Sequence, residues 1–209
     1  TGKMRFFNNF MSCLKEPKMT THTFLHTAVN AALEAGQAIL DIYHTDFSVH
    51  HKEDTSPLTK ADQASHEVIS RHLQTTGIPI LSEEGSSIPF DQRESWKRLW
   101  IVDPLDGTKE FIKRNGEFTV NIALIQNQKP ILGVIFVPVK NALYVGTAEY
   151  GAKRCFDLRP GTQAPLEAVL EQADRLPDHC EQHGTFTIVG SRSQDRKSTR
   201  LNSSHRYVS

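Results

Sequence analysis

The order of apolar patterns along the chain predicts an α+β fold, a mixed and largely antiparallel sheet layered against paired helices. Two helical periodicities come first, two short apolar strand segments follow, and alternating segments then run to about residue 155. Strands that come in a block after helices, rather than in strand–helix alternation, argue against a doubly wound parallel sheet.

From Thr23 to His44, Leu25, Val29, Ala32, Gly36, Ile39 and Tyr43 recur at steps of three or four, the spacing of an amphipathic helix. Thr21 or Thr23 is the expected cap, and Gly36 inside the pattern predicts close packing on a neighbour. A loop, "HKEDTSPLTKADQ", follows, with Pro57 holding the residue before it extended. Ala61, Ala64, Val68, Ile69 and Leu73 then mark a second helix with Asp62 in its first turn.

"IPILSEE" reads as a short strand that runs into two glutamates, and "RLWIVD" as a central strand. Phe118, Val120, Ile122 and Leu124 alternate with Thr119, Asn121 and Ala123, "NQKP" turns, and "ILGVIFVPV" returns, which is a hairpin pattern. "NALYVGTA" and "GAKRCF" extend it as a meander with Glu149, Tyr150 and Gly151 at the turn. Residues 157–184 are polar and without a clear period, and "TFTIVGSRS" reads as one more strand that opens a second domain. The expected organisation is a foreign or disordered leader over 1–18, an N-terminal domain over 19–184, the start of a C-terminal domain over 185–196, and a non-native tail over 197–209.

With 24 Lys plus Arg against 24 Asp plus Glu in 209 residues, nothing in the bulk charge draws the chain to nucleic acid or to an acidic membrane. Affinity for phosphate must therefore come from a local site. Cys13, Cys155 and Cys180 have no paired spacing, which argues against a disulfide framework or a zinc knot and for a reducing compartment. No apolar run reaches the roughly 18 residues of a membrane span. A cytoplasmic protein is the expectation, with peripheral membrane association left open.

The chemistry concentrates where apolar strands end in acids: Glu83 with Glu84, then Asp103 and Asp106 three apart. Clustered carboxylates repel and cost desolvation unless a cation sits among them. Oxygen donors suit Mg²⁺, and the Cys and His that zinc prefers are missing from these segments. Pro104 fixes the chain between the two aspartates, and a turn there would aim both carboxylates and the Leu105 carbonyl into one cavity. A helix that begins after Gly107 would offer N–H groups to a phosphate, and Gly107 would let the backbone come close. Metal ions plus a phosphate cradle amount to phosphoryl transfer to water. Asp-Pro-x-Asp-Gly is also a common turn sequence, and Glu-Glu a common solvated strand end; their joint occurrence, each behind an apolar strand, points to a site. Lys113 and Arg114 either touch a second phosphate or form a solvated basic loop, and His50, His51, His66 and His72 read as surface or packing residues.

"DPLDGTKEF", preceded by "PILSEE" and followed by "NGEFTVNIALI", resembles the inositol monophosphatase superfamily of magnesium-dependent, lithium-sensitive phosphatases. Lys109-Glu110-Phe111 looks like its 3'(2'),5'-bisphosphate nucleotidase branch of bacterial type. The resemblance runs from about Thr23 to Ser191 and implies the layered αβ sandwich of the inositol monophosphatase and sugar phosphatase type, with the second domain mostly missing. It implies that two or more Mg²⁺ ions are held by Glu83, Asp103, Asp106 and the Leu105 carbonyl, with Asp103 bridging. It implies that Thr108 positions the attacking water with Asp62 as its acidic partner, and that the substrate meets Glu83 and the run Leu105, Asp106, Gly107 and Thr108. The implied reaction is removal of the 3'-phosphate of adenosine 3',5'-bisphosphate, to give AMP and phosphate, by attack of metal-bound water. The implied partner is thus a small phosphorylated nucleotide, with no nucleic acid and no transmembrane segment.

The family takes a further metal-binding aspartate, after a tryptophan, from its C-terminal half. Trp96 and Trp100 are the tryptophans here, and none of Asp157, Asp174, Asp178 and Asp195 sits in that setting. An inositol monophosphate phosphatase, or an inactive fragment lacking that ligand, are the alternative readings. The haloacid dehalogenase type also writes D-x-D-G-T with a nucleophilic aspartate, but its acids are two apart.

Overall fold

The structure, a computed structural model, describes residues 19–45 and 57–177. Helix α1 (Thr21–Tyr43) is capped by Thr20, whose hydroxyl accepts the Thr23 N–H at 3.2 Å. The expected caps were Thr21 and Thr23. Thr20 takes the role because its backbone is still extended, which is the geometry a cap needs. Helix α2 (Pro57–Gln74) starts at Pro57, four residues before the predicted Ala61, so Asp62 lies in the second turn and not the first. Proline suits a first helical turn because its missing N–H has no partner there anyway.

The remaining order is β1 (Ile80–Ser82), α3 (Phe90–Arg93), β2 (Arg98–Asp106), α4 (Thr108–Ile112), β3 (Thr119–Gln126), β4 (Lys129–Val137), a 3₁₀ turn (Pro138–Lys140), β5 (Ala142–Thr147), β6 (Gly151–Cys155), α5 (Leu166–Gln172) and β7 (Asp174–Leu176). Among the described residues the strands form one seven-stranded sheet in sequence order. β1 runs parallel to β2, and every later neighbour is antiparallel. The mixed, largely antiparallel sheet with paired helices is thus the observed architecture.

One face of the sheet is the core. Trp100, Val102, Val120, Ile122, Leu124, Leu132, Val134, Phe136, Leu143 and Val145 alternate inward along β2 to β5 and meet the apolar side of α1. Gly36 explains how close that approach is, since a Cβ there would come within 2.5 Å of the Phe136 ring. Phe24 packs edge-on to Trp100, whose indole N–H donates to the Thr76 hydroxyl at 3.0 Å. The hairpin turn is made by Asn127 and Gln128, both at positive φ, while Lys129 and Pro130 already belong to β4.

No element was assigned to the polar stretch 157–184 from the sequence; its described part carries α5 and β7. Leu166 and Val169 bury one side of α5, and the Lys153 ammonium donates to the Leu170 carbonyl at 2.8 Å. Two buried residues in seven were too short a period to read against so polar a background. The predicted strand "TFTIVGSRS", both chain ends, His50, His51, Cys13 and Cys180 lie outside the described residues. Cys155 is a buried free thiol.

Candidate metal centre

Three elements converge at the carboxyl ends of the parallel pair. The Glu83 N–H donates to the Val102 carbonyl at 3.1 Å, which carries the β1–β2 ladder one residue beyond Ser82 and sets Glu83 next to Asp103. On β2, Asp103 pairs with Asn121 of β3 and Asp106 with Thr119. Three steps along β2 thus oppose two along β3, so the predicted turn at Asp103–Asp106 is instead a bulge in a continuing strand. A bulge does what the turn was expected to do, because one extra residue re-aims the side chains that flank it.

Gly107 then takes φ 97°, in the left-handed region, and α4 begins at Thr108 as the sequence suggested. A Cβ at Gly107 would meet the Phe118 Cα at 3.1 Å, so the close approach that requires glycine is to Glu117 and Phe118, just before β3. Phe111 locks the far side of this loop: it is fully buried and packs its ring against Phe118 and Tyr43. The aromatic of "KEF" is therefore an anchor for the acidic loop. Arg114, a candidate phosphate contact, donates to the Thr45 carbonyl and lies over the Tyr43 ring, where its charge also suits the end of α1.

Asp62, Glu83, Glu84, Asp103, Leu105, Asp106, Gly107 and Thr108 line one cavity of about 290 Å³, closed on the α2 side by Leu58 and Thr59. Every residue singled out in the sequence for metal or catalysis is on that wall. Burial, and then the charges of Glu84, Asp103 and Glu83, push the Asp62 carboxyl up to about 7. Asp62 and Glu84 also share a hydrogen bond. Asp103 is raised to about 6, by burial first and then by Asp106 and Glu83, against the opposing effect of the Leu105 N–H that donates to it. Such mutual strain is what uncompensated carboxylates at a cation site produce.

Among the described residues no three His, Cys, Asp or Glu side chains close on a single ion. Like charges spread around the wall instead, and Mg²⁺, which keeps several waters and takes one or two carboxylates, does not need a closed cage. An all-oxygen donor set with raised carboxyls fits a hard, hydrated dication.

Several supports were not read from the sequence. The Ser65 hydroxyl, fully buried, donates to the Pro104 carbonyl at 2.8 Å and so pins the bulge to α2. His66 Nδ1 and the Ser82 hydroxyl are 2.8 Å apart, which ties α2 to the residue before Glu83. The Asn121 amide donates to Asp106 Oδ2 at 3.2 Å. The available signals were a serine on the buried stripe Ala61, Ser65, Ile69 and Leu73, and an amide within an apolar strand. His72, by contrast, pairs with Glu34 of α1 at 2.6 Å, as a packing residue should.

A family model described as "Inositol monophosphatase family" matches residues 20–206. The chain is 55% identical over 173 residues to the 3'(2'),5'-bisphosphate nucleotidase CysQ of Shigella flexneri, covering 77% of this chain and 70% of that protein. The Escherichia coli strain K12 protein of the same name is 54% identical over the same length. Among solved structures, CysQ from Bacteroides thetaiotaomicron, a bacterial member of the inositol monophosphatase family, superposes with a TM-score of 0.70 at 48% identity, over 75% of this chain and 58% of that one. An inositol monophosphatase from Anabaena (Nostoc) sp. PCC 7120 gives 0.53 at 32% identity, over 66% of this chain and 48% of that one. The chain thus spans less than two thirds of the solved structures that it resembles, while the family model matches most of its length: it belongs to the inositol monophosphatase family.

Proposed function

We propose that the protein is a Mg²⁺-dependent phosphomonoesterase that removes the 3'-phosphate of adenosine 3',5'-bisphosphate to give AMP and phosphate. The observation that carries this reading is the carboxylate cavity, in which Asp62, Glu83, Asp103 and Asp106 stand around the loop Leu105–Thr108. The substrate follows the relatives, which are named bisphosphate nucleotidases at 54–55% identity.

Glu83, Asp103, Asp106 and the Leu105 carbonyl would hold the metal ions. Mg²⁺ bound there supplies charge neutralisation on the phosphoryl oxygens and lowers the pKa of coordinated water. Residues of the chain do the rest. The Thr108 hydroxyl orients the incoming water, and the Asp62 carboxylate on the same cavity wall accepts its proton. The water oxygen forms the new bond to phosphorus as the bond to the 3'-oxygen breaks, and that oxygen takes a proton from solvent water and leaves as the ribose hydroxyl, while Asp62 returns its proton to solvent. Gly107 and Thr108 contact the departing phosphate.

Phosphate release from adenosine 3',5'-bisphosphate and from inositol monophosphate, measured with and without Mg²⁺, tests this directly. The expected result is Mg²⁺-dependent turnover with preference for the nucleotide. Preference for inositol monophosphate would overturn the substrate, and an unchanged rate with EDTA would overturn the metal.

A further inference from the structure

The β2–β3 bulge gives one side chain on β3 access to both aspartates. Asn121 is the register partner of Asp103, and because β2 carries an extra residue it also reaches Asp106, donating from Nδ2 to Oδ2 at 3.2 Å. A carboxylate only accepts, so the amide must turn its NH₂ toward Asp106. Its oxygen then accepts from the Thr119 hydroxyl at 3.2 Å. Thr119 and Asp106 are themselves register partners, so the two strands fix the amide from both ends. Asp106 is left with Oδ2 engaged and Oδ1 without a protein partner among the described residues.

Resting on the reading of this cavity as a Mg²⁺ centre, we infer that Asn121 is a positioning residue that restricts Asp106 to one free oxygen and thereby favours Mg²⁺ over Ca²⁺ at the site. Mg²⁺ demands near-octahedral geometry and takes single carboxylate oxygens, whereas Ca²⁺ accepts six to eight ligands and chelates a carboxylate through both oxygens. A donor that occupies Oδ2 opposes the second mode and leaves the first intact. A neutral amide does so without cancelling the charge that attracts the ion, as a lysine at this position would. Partners of this kind typically change metal affinity by about 10- to 100-fold.

The test is calorimetric titration of the chain and its variants with MgCl₂ and, separately, with CaCl₂. Asn121→Ala should weaken Mg²⁺ binding by about tenfold while Ca²⁺ binding stays level or tightens, so that the ratio of the two dissociation constants shifts. Thr119→Val, which keeps Asn121 but frees its amide oxygen, should shift the ratio in the same direction by less. Circular dichroism checks the fold, and if Asn121→Ala does not fold, Thr119→Val carries the test. Equal weakening for both ions would overturn the inference and leave Asn121 as structural support alone. Wild-type chain that binds neither ion would overturn the metal-centre reading itself, and this inference with it.

Discussion

The two faces of the sheet have opposite chemistry. On the helix side Trp100, Ile122, Leu132 and Phe136 are buried, and the buried Ser65 hydroxyl has a partner in the Pro104 carbonyl. On the other side the same strands present Asp103, Asn121 and Tyr144 in one register row and Ile101, Ala123, Gly133 and Gly146 in the next, with Ile101 and Ile135 more than two-fifths exposed among the described residues. The first face supplies stability. The second keeps charge unneutralised at its edge, a destabilising arrangement that makes sense where a ligand supplies the opposite charge.

Substitutions on the two faces should therefore separate stability from activity. Asp103→Asn, on the open face, should bring phosphate release to background while raising the thermal midpoint of the metal-free chain, since it removes a carboxylate that its neighbours already oppose; a fall in that midpoint would break the contrast. Trp100→Ala, on the buried face, should cost about 3–5 kcal/mol in urea unfolding. Gly36→Ala should cost about 1–3 kcal/mol by overpacking, because the added methyl meets the Phe136 ring.

The pH dependence has a definite sign. Asp62 and Asp103 titrate at about 7 and about 6 when folded and near 4 when unfolded, so between those values the folded chain holds more protons. Stability of the metal-free chain should then fall as pH rises from about 4 to about 7, and saturating Mg²⁺ should flatten the slope; thermal melts across that window decide it. Gly133→Ala should change stability least, by under about 1 kcal/mol and in the favourable direction, because an added Cβ there meets nothing within 4 Å. A large loss at Gly133 would show that this face is not open in solution.

Legibility followed the range of the interaction. The alternation Phe118, Val120, Ile122, Leu124 was readable because side-chain direction in a strand is set by the chain's own period, and all four are buried. Gly36 was readable as a close contact, but not as a contact with Phe136, a hundred residues on. The start of α2 was misplaced because Pro57 serves a turn and a first helical turn equally well. β7 was missed because three residues become a strand only when Arg154, Lys153 and Ala152 lie opposite them.

The sequence by itself determined the local layout: acids at the ends of two apolar strands, at Glu83, Asp103 and Asp106, and a glycine directly behind the last of them. These are local constraints, set by side-chain type and backbone freedom. Only the tertiary structure decided that the acids flank a bulge rather than a turn, that Ser65 pins Pro104 from 39 residues away, and that Asn121 faces both aspartates at once. Strand register and helix docking settle these contacts. Both depend on how the whole sheet buries its apolar face, a property of no single segment.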